Sequence, residues 1–146
     1  MKKFKFELED LLKLRQFEQE QAQIELGKAV AVENNIQAQL DALAQEYSAV
    51  KASSKGSLDF SQITSTSKFY SYMNIKSERL MNEMAQAKLV TEEKRKIFFA
   101  ALQKTESLSK LKEKMYEEYK AQTAIAEEDE IDDIITSHTN AVRAQK

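Results

Sequence analysis

Apolar residues between Leu8 and Val50 recur in alternating steps of four and three. Ten of the thirteen positions on this line are apolar when Ala and Tyr are counted. A stripe with a mean period of 3.5 residues faces a single long partner helix, so it predicts a coiled-coil seam rather than the wider face of a globular core. The line consists of Leu8, Leu12, Arg15, Gln19, Ala22, Leu26, Ala29, Glu33, Ile36, Leu40, Leu43, Tyr47 and Val50.

A second seam with a strict seven-residue spacing follows in the other part of the chain. Six of its eight positions are apolar, which predicts another long helix. The strict positions are Met73, Leu80, Ala87, Lys94, Ala101, Leu108, Met115 and Gln122. Apolar companions expected on the same face are Met84, Val90, Ile97, Phe98, Leu111 and Tyr119.

One break separates the seams, at residues 52–57. Gly56 can close a helix, and Ser57 or Asp59 can cap the next one. We therefore predict a single all-α domain over residues 1–146: a long two-helix antiparallel coiled-coil hairpin with a longer second helix. The helices are expected at about residues 4–51 and 59–141, with a turn at about residues 52–58.

A turn centred on Gly56 would place residue n opposite roughly residue 112 − n, so the first helix would end near Leu108. The remainder of the second helix is expected to have no partner in its own chain. An isolated helix is only marginally stable in water, and an apolar stripe on it favours contact with a partner. This overhang is therefore either a disordered tail or a segment that enters another protein. Its apolar residues are Leu111, Met115, Tyr116, Tyr119, Ile125, Ile131, Ile134, Ile135 and Val142.

The amino-acid composition agrees with long helices and excludes several classes of fold and function. The 146 residues include two glycines and no proline, too few turn formers for a β-sandwich or an α/β fold. The net charge of −2 argues against a general nucleic-acid binder. There is no cysteine and no run of about 20 apolar residues, so we expect a cytoplasmic protein.

Catalytic and metal-binding constellations are missing from the sequence. The single histidine, His138, lies near the end of the second helix, where a solvated role is expected. A helix spreads the acidic residues 127–133 around its circumference, which favours a solvated face over a Ca²⁺ or Mg²⁺ site. No glycine flanks a Lys-Ser or Lys-Thr pair, as a phosphate loop requires. We predict a protein that is not an enzyme and has no cofactor, metal ion or small-molecule substrate.

Five aromatic residues surround the predicted turn: Tyr47, Phe60, Phe69, Tyr70 and Tyr72. Residues one and three apart on a helix point in different directions, so Phe69, Tyr70 and Tyr72 cannot all share one face. Two interpretations stay open. The rings form a small plug that closes the hairpin, or the surplus rings form an exposed recognition patch.

Two motifs resemble a known family. The chain opens with Phe4-x-Phe6-x-Leu8-Glu9-x-Leu11-Leu12-x-Leu14-Arg15, and Leu108-x-x-Leu111-x-x-Lys114-x-Tyr116-x-x-Tyr119 precedes an acidic segment that ends at Asp133. Both are similar to the flagellar export protein FliJ family, and the resemblance covers essentially the whole chain. This chain departs from the family pattern at one place: the acidic segment at residues 127–133 has no lysine, whereas the family often has lysines there.

The resemblance implies a non-enzymatic stalk or accessory protein of the flagellar type III export apparatus. Its paired termini would sit in the centre of the hexameric export ATPase, FliI, and promote ring assembly. Its tip would reach the export-gate protein FlhA, and export chaperones are further implied partners. The implied location is the cytoplasmic face of the inner membrane at the flagellar base.

The residues implied as partner-binding lie at the two ends of the predicted hairpin. At the tip, the gate-contacting residues are Leu40, Leu43, Tyr47, Phe69 and Met73. At the termini, the expected ring-contacting residues are Phe4, Phe6, Leu11, Arg15, Leu111, Met115 and Tyr119. The alternative function is a structural coiled coil that self-associates through the overhang.

Overall fold

The computed structural model of the chain describes residues 2–56 and 59–145, which contain two helices and no strand. Helix α1 spans Glu9–Ser53 and helix α2 spans Phe60–Ala144. The helices pack against each other, and α2 is the longer, which confirms the predicted all-α helical hairpin. Helix α1 begins five residues later than expected, with Glu9 and Asp10 in its first turn at the positive end of the helix dipole.

Packing divides the chain into two compact units. The hairpin unit consists of residues 18–101 and contains the turn. The terminal unit brings residues 2–17 together with residues 102–145. Each predicted set of partner-binding residues lies within one unit, the tip set in the hairpin unit and the terminal set in the terminal unit.

The core of the hairpin unit is a narrow seam. Leu80 is completely buried at its centre and Met73 is 2% exposed. Of the thirteen seam positions predicted on α1, only Leu8 and Tyr47 are exposed, so the pattern identified the buried face of this helix correctly. The buried cluster is Ile36, Leu43, Met73, Leu80 and Ala87, with Leu40, Phe69 and Met84 packed against it.

On α2 the strict seven-residue row is also at least half buried, except for Gln122. Its companions were predicted only in part. Val90, Ile97 and Leu111 are exposed, because the second buried row lies four residues after each strict position and these three lie three after. The observed second row is Ser77, Met84, Thr91, Phe98, Thr105, Lys112 and Tyr119.

Small and polar residues occupy part of the buried face. Ala22, Ala29 and Ala87 are each 8% exposed, while Thr91 and Thr105 are buried polar residues. The Thr91 hydroxyl donates a hydrogen bond of 3.0 Å to the Ala87 carbonyl one turn earlier on α2. This bond within the same helix lets a polar side chain occupy a buried position without an unpaired donor.

The turn follows the predicted chemistry. At the end of α1 the Val50 carbonyl accepts the Ser54 amide and the Ser53 hydroxyl, and the Lys51 carbonyl accepts the Ser54 hydroxyl. Gly56 has a φ of 96°. Asp59 accepts a hydrogen bond from the Ser61 amide and caps α2 as expected, while Ser57, the other predicted cap, lies outside the described residues.

Gly56→Ala is expected to lower the free energy of unfolding by about 1 to 2 kcal/mol, because an L-residue is strained at this φ. Apart from its chain neighbours, a Cβ at Gly56 would meet no atom of the described residues within 4 Å, so the cost is one of backbone conformation. Chemical denaturation followed by circular dichroism measures it. Gly27→Ala is the matched control: Gly27 is inside α1 with equally open surroundings, so alanine there should stabilise by about 0.5 to 1 kcal/mol. Equal effects at both sites would contradict the argument.

The observed pairing differs from the predicted register. In the terminal unit, Lys112 Nζ lies 2.7 Å from a carboxylate oxygen of Glu9, whereas residue 103 was expected opposite Glu9. In the hairpin unit, the ring of Tyr47 lies against Tyr70 instead of residue 65. The prediction assumed that the two helices leave the turn without any displacement along their axes. These two contacts instead join α1 to residues of α2 that lie five and nine residues further along, about one and a half to two and a half helical turns.

Candidate functional site

Four of the five residues predicted to contact the gate belong to the core of the hairpin unit. Leu43 and Met73 are buried, and Leu40 and Phe69 are half-buried against the same cluster. The fifth, Tyr47, is 40% exposed. The structure therefore brings the five predicted residues to the same end of the hairpin, but Tyr47 is the one that offers a large accessible surface.

The aromatic residues near the turn divide into two groups. The ring centroids of Tyr47 and Tyr70 are 5.1 Å apart, and those of Phe69 and Tyr70 are 6.0 Å apart. These three rings form the plug that one interpretation predicted. Phe60 and Tyr72 remain 82% and 59% exposed, as the other interpretation requires of surplus rings.

A groove beside the turn was missed by the sequence analysis. Its volume is about 710 Å³, and its lining is rich in hydroxyl groups, with Tyr70 joining it to the aromatic plug. The available signal in the sequence was the Ser/Thr-rich stretch at residues 61–67. The lining residues are Val50, Ser53, Ser54, Ser61, Gln62, Ile63, Ser65, Thr66, Ser67, Tyr70, Ser71 and Asn74.

The terminal unit contains a non-helical N-terminal arm, residues 2–8, that the sequence analysis had assigned partly to helix. Phe6 is 5% exposed, and its carbonyl accepts a hydrogen bond from the Glu9 amide where the helix starts. The arm contacts α2 as far along as Tyr119, so the predicted end of pairing near Leu108 is wrong.

Three aromatic rings join the arm to α2. Phe4 lies edge-on to Tyr116 with ring centroids 5.2 Å apart, and 5.5 Å from the Tyr119 ring. The Tyr119 hydroxyl donates a hydrogen bond to the carbonyl of Lys2. Edge-on and tilted ring pairs of this kind are favourable beyond the area that they bury. Tyr116 had not been predicted as a site residue, although its spacing from Tyr119 puts both rings on one face.

The other predicted terminal residues surround this contact. Leu11, Arg15 and Met115 are half-buried, and Leu111 is 38% exposed. A groove of about 690 Å³ runs beside the arm, and its lining includes Phe4, Leu12, Gln16, Lys112 and Tyr116, so it combines aromatic and charged surface. The predicted terminal residues are thus gathered in one unit, although Phe6 is hidden within it.

Lys120 adds a positive charge to this surface. Its ammonium lies 4.9 Å from the centroid of the Tyr116 ring, within the range of a cation–π interaction. It also lies 3.0 Å from a Glu117 carboxylate oxygen. The hydrogen bond to Glu117 is the main reason that the pKa of Lys120 is raised, so this lysine stays charged at neutral pH.

The last part of α2 is exposed throughout. Every described residue after Thr123 is exposed, including the acidic residues 127–133 and His138. Among the described residues no cluster of His, Cys, Asp and Glu is arranged to hold a metal ion. Within the same residues, neither helix contains a stretch long and apolar enough to cross a membrane. The exposed apolar side chains here are Ile125, Ile131, Ile134, Ile135 and Val142.

A family model described as the flagellar FliJ protein matches residues 4–143, nearly the whole described chain. This chain belongs to the FliJ family. Searches of curated proteins and of solved structures found no match to it. The match includes both motifs that carried the resemblance, the opening aromatic motif and the segment from Leu108 to Tyr119.

Membership of the FliJ family makes the chain a component of the flagellar export machinery. FliJ proteins are non-catalytic components of that machinery. The helical hairpin found here agrees with a coiled-coil FliJ protein. Each unit of this FliJ chain contains an aromatic cluster, one beside the turn and one where the arm meets α2.

Proposed function

We propose that this FliJ-family chain is a stalk or accessory subunit that binds the centre of the FliI ATPase ring and promotes ring assembly. Its turn end contacts the gate protein FlhA at the cytoplasmic face of the inner membrane, and export chaperones are further partners. The observation that carries the proposal is the family match over residues 4–143. Hydrolysis belongs to the ATPase, and the chain acts by binding.

The terminal unit supplies the surface proposed for the ring. Leu111 is exposed, Met115 is half-buried beside it on the same helix, and the groove next to the arm is open to solvent. Beyond Thr123, α2 presents exposed isoleucines with no covering residues from the described chain. Exposed apolar side chains rimmed by charge are typical of protein-binding surfaces, which supports a partner at this end.

The turn end supplies the surface proposed for the gate. Tyr47 is accessible and its ring packs against Tyr70, which also lines the hydroxyl-rich groove. Tyrosine is enriched among residues that dominate binding energy, because it combines apolar area with a polar tip and few rotatable bonds. The other four predicted gate contacts belong to the core that holds this part of the hairpin together: Leu40, Leu43, Phe69 and Met73.

Adding the protein to its FliI-type ATPase is expected to raise hydrolysis and ring assembly. In the same assay Leu111→Asp should weaken binding about tenfold or more, because a charge would replace an exposed apolar contact. The matched control is Leu89→Asp, since Leu89 is 63% exposed on α2 in the other unit. Binding is measured by titration, and hydrolysis by phosphate release.

Unchanged hydrolysis and assembly on addition of the wild-type protein would reject the stalk role. The alternative is self-association through the exposed isoleucines at the end of α2. Sedimentation at micromolar concentration separates the two functions: a monomer supports the stalk. A stable dimer that dissociates when residues 124–146 are removed supports the scaffold.

A further inference from the structure

The N-terminal arm has a firmly held part and a lightly held part. Phe6 is buried, and the Glu9 amide donates to its carbonyl at 3.1 Å, which fixes the arm at the start of α1. Residues 2–5, by contrast, include three exposed lysines and one half-buried side chain, Phe4. The described contacts of this outer part with α2 are the Phe4 ring contacts and the hydrogen bond to the Lys2 carbonyl.

We propose that residues 2–5 form a latch that closes over Tyr116 and Tyr119 and competes with the protein partner that binds this end of the chain. This inference rests on the proposed function, in which that partner is the FliI ring. It assigns Phe4 an inhibitory, intramolecular role, in place of the direct ring contact that the sequence predicted. Opening the latch while Phe6 stays buried exposes a tyrosine face beside the groove that Phe4 and Tyr116 line.

The contacts make the latch closed but easily opened. Ordering residues at a chain terminus costs conformational entropy, and two ring contacts and one exposed hydrogen bond slightly exceed that cost, which keeps most molecules closed. Segments with few buried contacts open locally at low free energy without unfolding the rest of the protein. The apparent affinity of a partner that binds only the open form is its intrinsic affinity multiplied by the open fraction, so closure of the latch lowers it.

Latch closure is tested by NMR on the full chain without any partner. In the wild type, steady-state heteronuclear NOE values for the amides of residues 3–5 should approach those of α1. Phe4→Ala should reduce them to the values of a free terminus, and Tyr119→Phe should reduce them less, because it removes only the hydroxyl's bond. Low values already present in the wild type, or no change in Phe4→Ala, would overturn the latch.

Competition is tested by titrating the ATPase with the same variants. Phe4→Ala should bind about three- to tenfold more tightly than wild type, because it removes the ring contacts that hold the closed state. Phe60→Ala is the matched control: Phe60 is 82% exposed and lies in the other unit, so its loss should leave ATPase affinity unchanged. Phe4→Ala should strengthen ATPase binding, whereas Leu111→Asp should weaken it. This difference in direction distinguishes the latch from a direct contact with the ATPase.

Each failure has its own signature. Weaker or unchanged binding by Phe4→Ala, with Leu111→Asp also weak, would overturn the latch and leave the proposed function standing. No ATPase binding by the wild type would overturn the proposed function and with it the competition. The NMR measurement would then decide by itself whether residues 2–5 close on α2.

Discussion

Replacing Leu80 by alanine is expected to lower the free energy of unfolding by about 2 to 5 kcal/mol. Leu80 is completely buried between the two helices of the hairpin unit, within the cluster that contains Ile36, Leu43 and Met73. The substitution removes the apolar contacts of the leucine side chain and leaves a cavity that a narrow seam closes only in part. Alanine keeps helix propensity high, so the loss reports packing rather than helix formation.

Leu89→Ala is the matched control for Leu80→Ala. It makes the same chemical change on the same helix, but Leu89 is 63% exposed. Its effect should stay within about 0.5 kcal/mol, as for other exposed positions. Urea denaturation followed by circular dichroism measures both variants. A loss at Leu80 no larger than at Leu89 would mean that the seam does not stabilise the hairpin.

The fold could be predicted because the seams are periodic and the break between them is chemically marked. A stripe repeating every 3.5 residues fixes which face of α1 is buried, even where Arg15 or Glu33 interrupts it. The register was harder to predict, because sequence periodicity does not say how far one helix is displaced along its neighbour. The Glu9–Lys112 ion pair reveals that displacement directly.

On α2, the apolar or polar character of a residue predicted its burial poorly. Thr91 and Thr105 are buried although polar, while Val90 and Ile97 are exposed although apolar. Position in the heptad decides burial here, and the Thr91 hydroxyl is satisfied by the carbonyl of Ala87. Hydrophobicity alone therefore chose three of the six companions correctly, Met84, Phe98 and Tyr119, whereas a strict step of four from each heptad position identifies the whole buried row.

The terminal site was predicted as a group of residues but not as an arrangement. Phe4 and Phe6 were expected on a helix facing a partner protein. The chain is instead non-helical before Glu9, and Phe6 is buried within the terminal unit. No repeat or propensity at residues 2–6 signals this, because the arm is held by tertiary ring contacts with α2, more than a hundred residues away in sequence.

At the turn end, Leu43 and Tyr47 were both predicted as gate contacts. Burial separates their roles. Leu43 is 6% exposed and belongs to the core cluster, so its truncation should destabilise the hairpin by about 2 to 5 kcal/mol and affect binding indirectly. Tyr47 is 40% exposed, so it can be removed at a much smaller cost in stability.

Tyr47→Ala alone is therefore expected to weaken binding to FlhA by about thirtyfold or more, while the free energy of unfolding changes by about 1 kcal/mol or less. The loss follows from removing an accessible aromatic ring that Tyr70 holds in place at a centroid distance of 5.1 Å. Isothermal titration with purified FlhA measures the affinity, and urea denaturation measures the stability of the same sample.

Tyr72→Ala controls for the loss of an exposed tyrosine near the turn. Tyr72 is 59% exposed and lies outside the Tyr47–Phe69–Tyr70 cluster, so its removal should leave FlhA affinity within about threefold of wild type. Equal losses from both tyrosines would point to a diffuse surface at this end. Unchanged affinity in Tyr47→Ala would remove the turn end as the gate contact, because Tyr47 alone among the five predicted residues is exposed there.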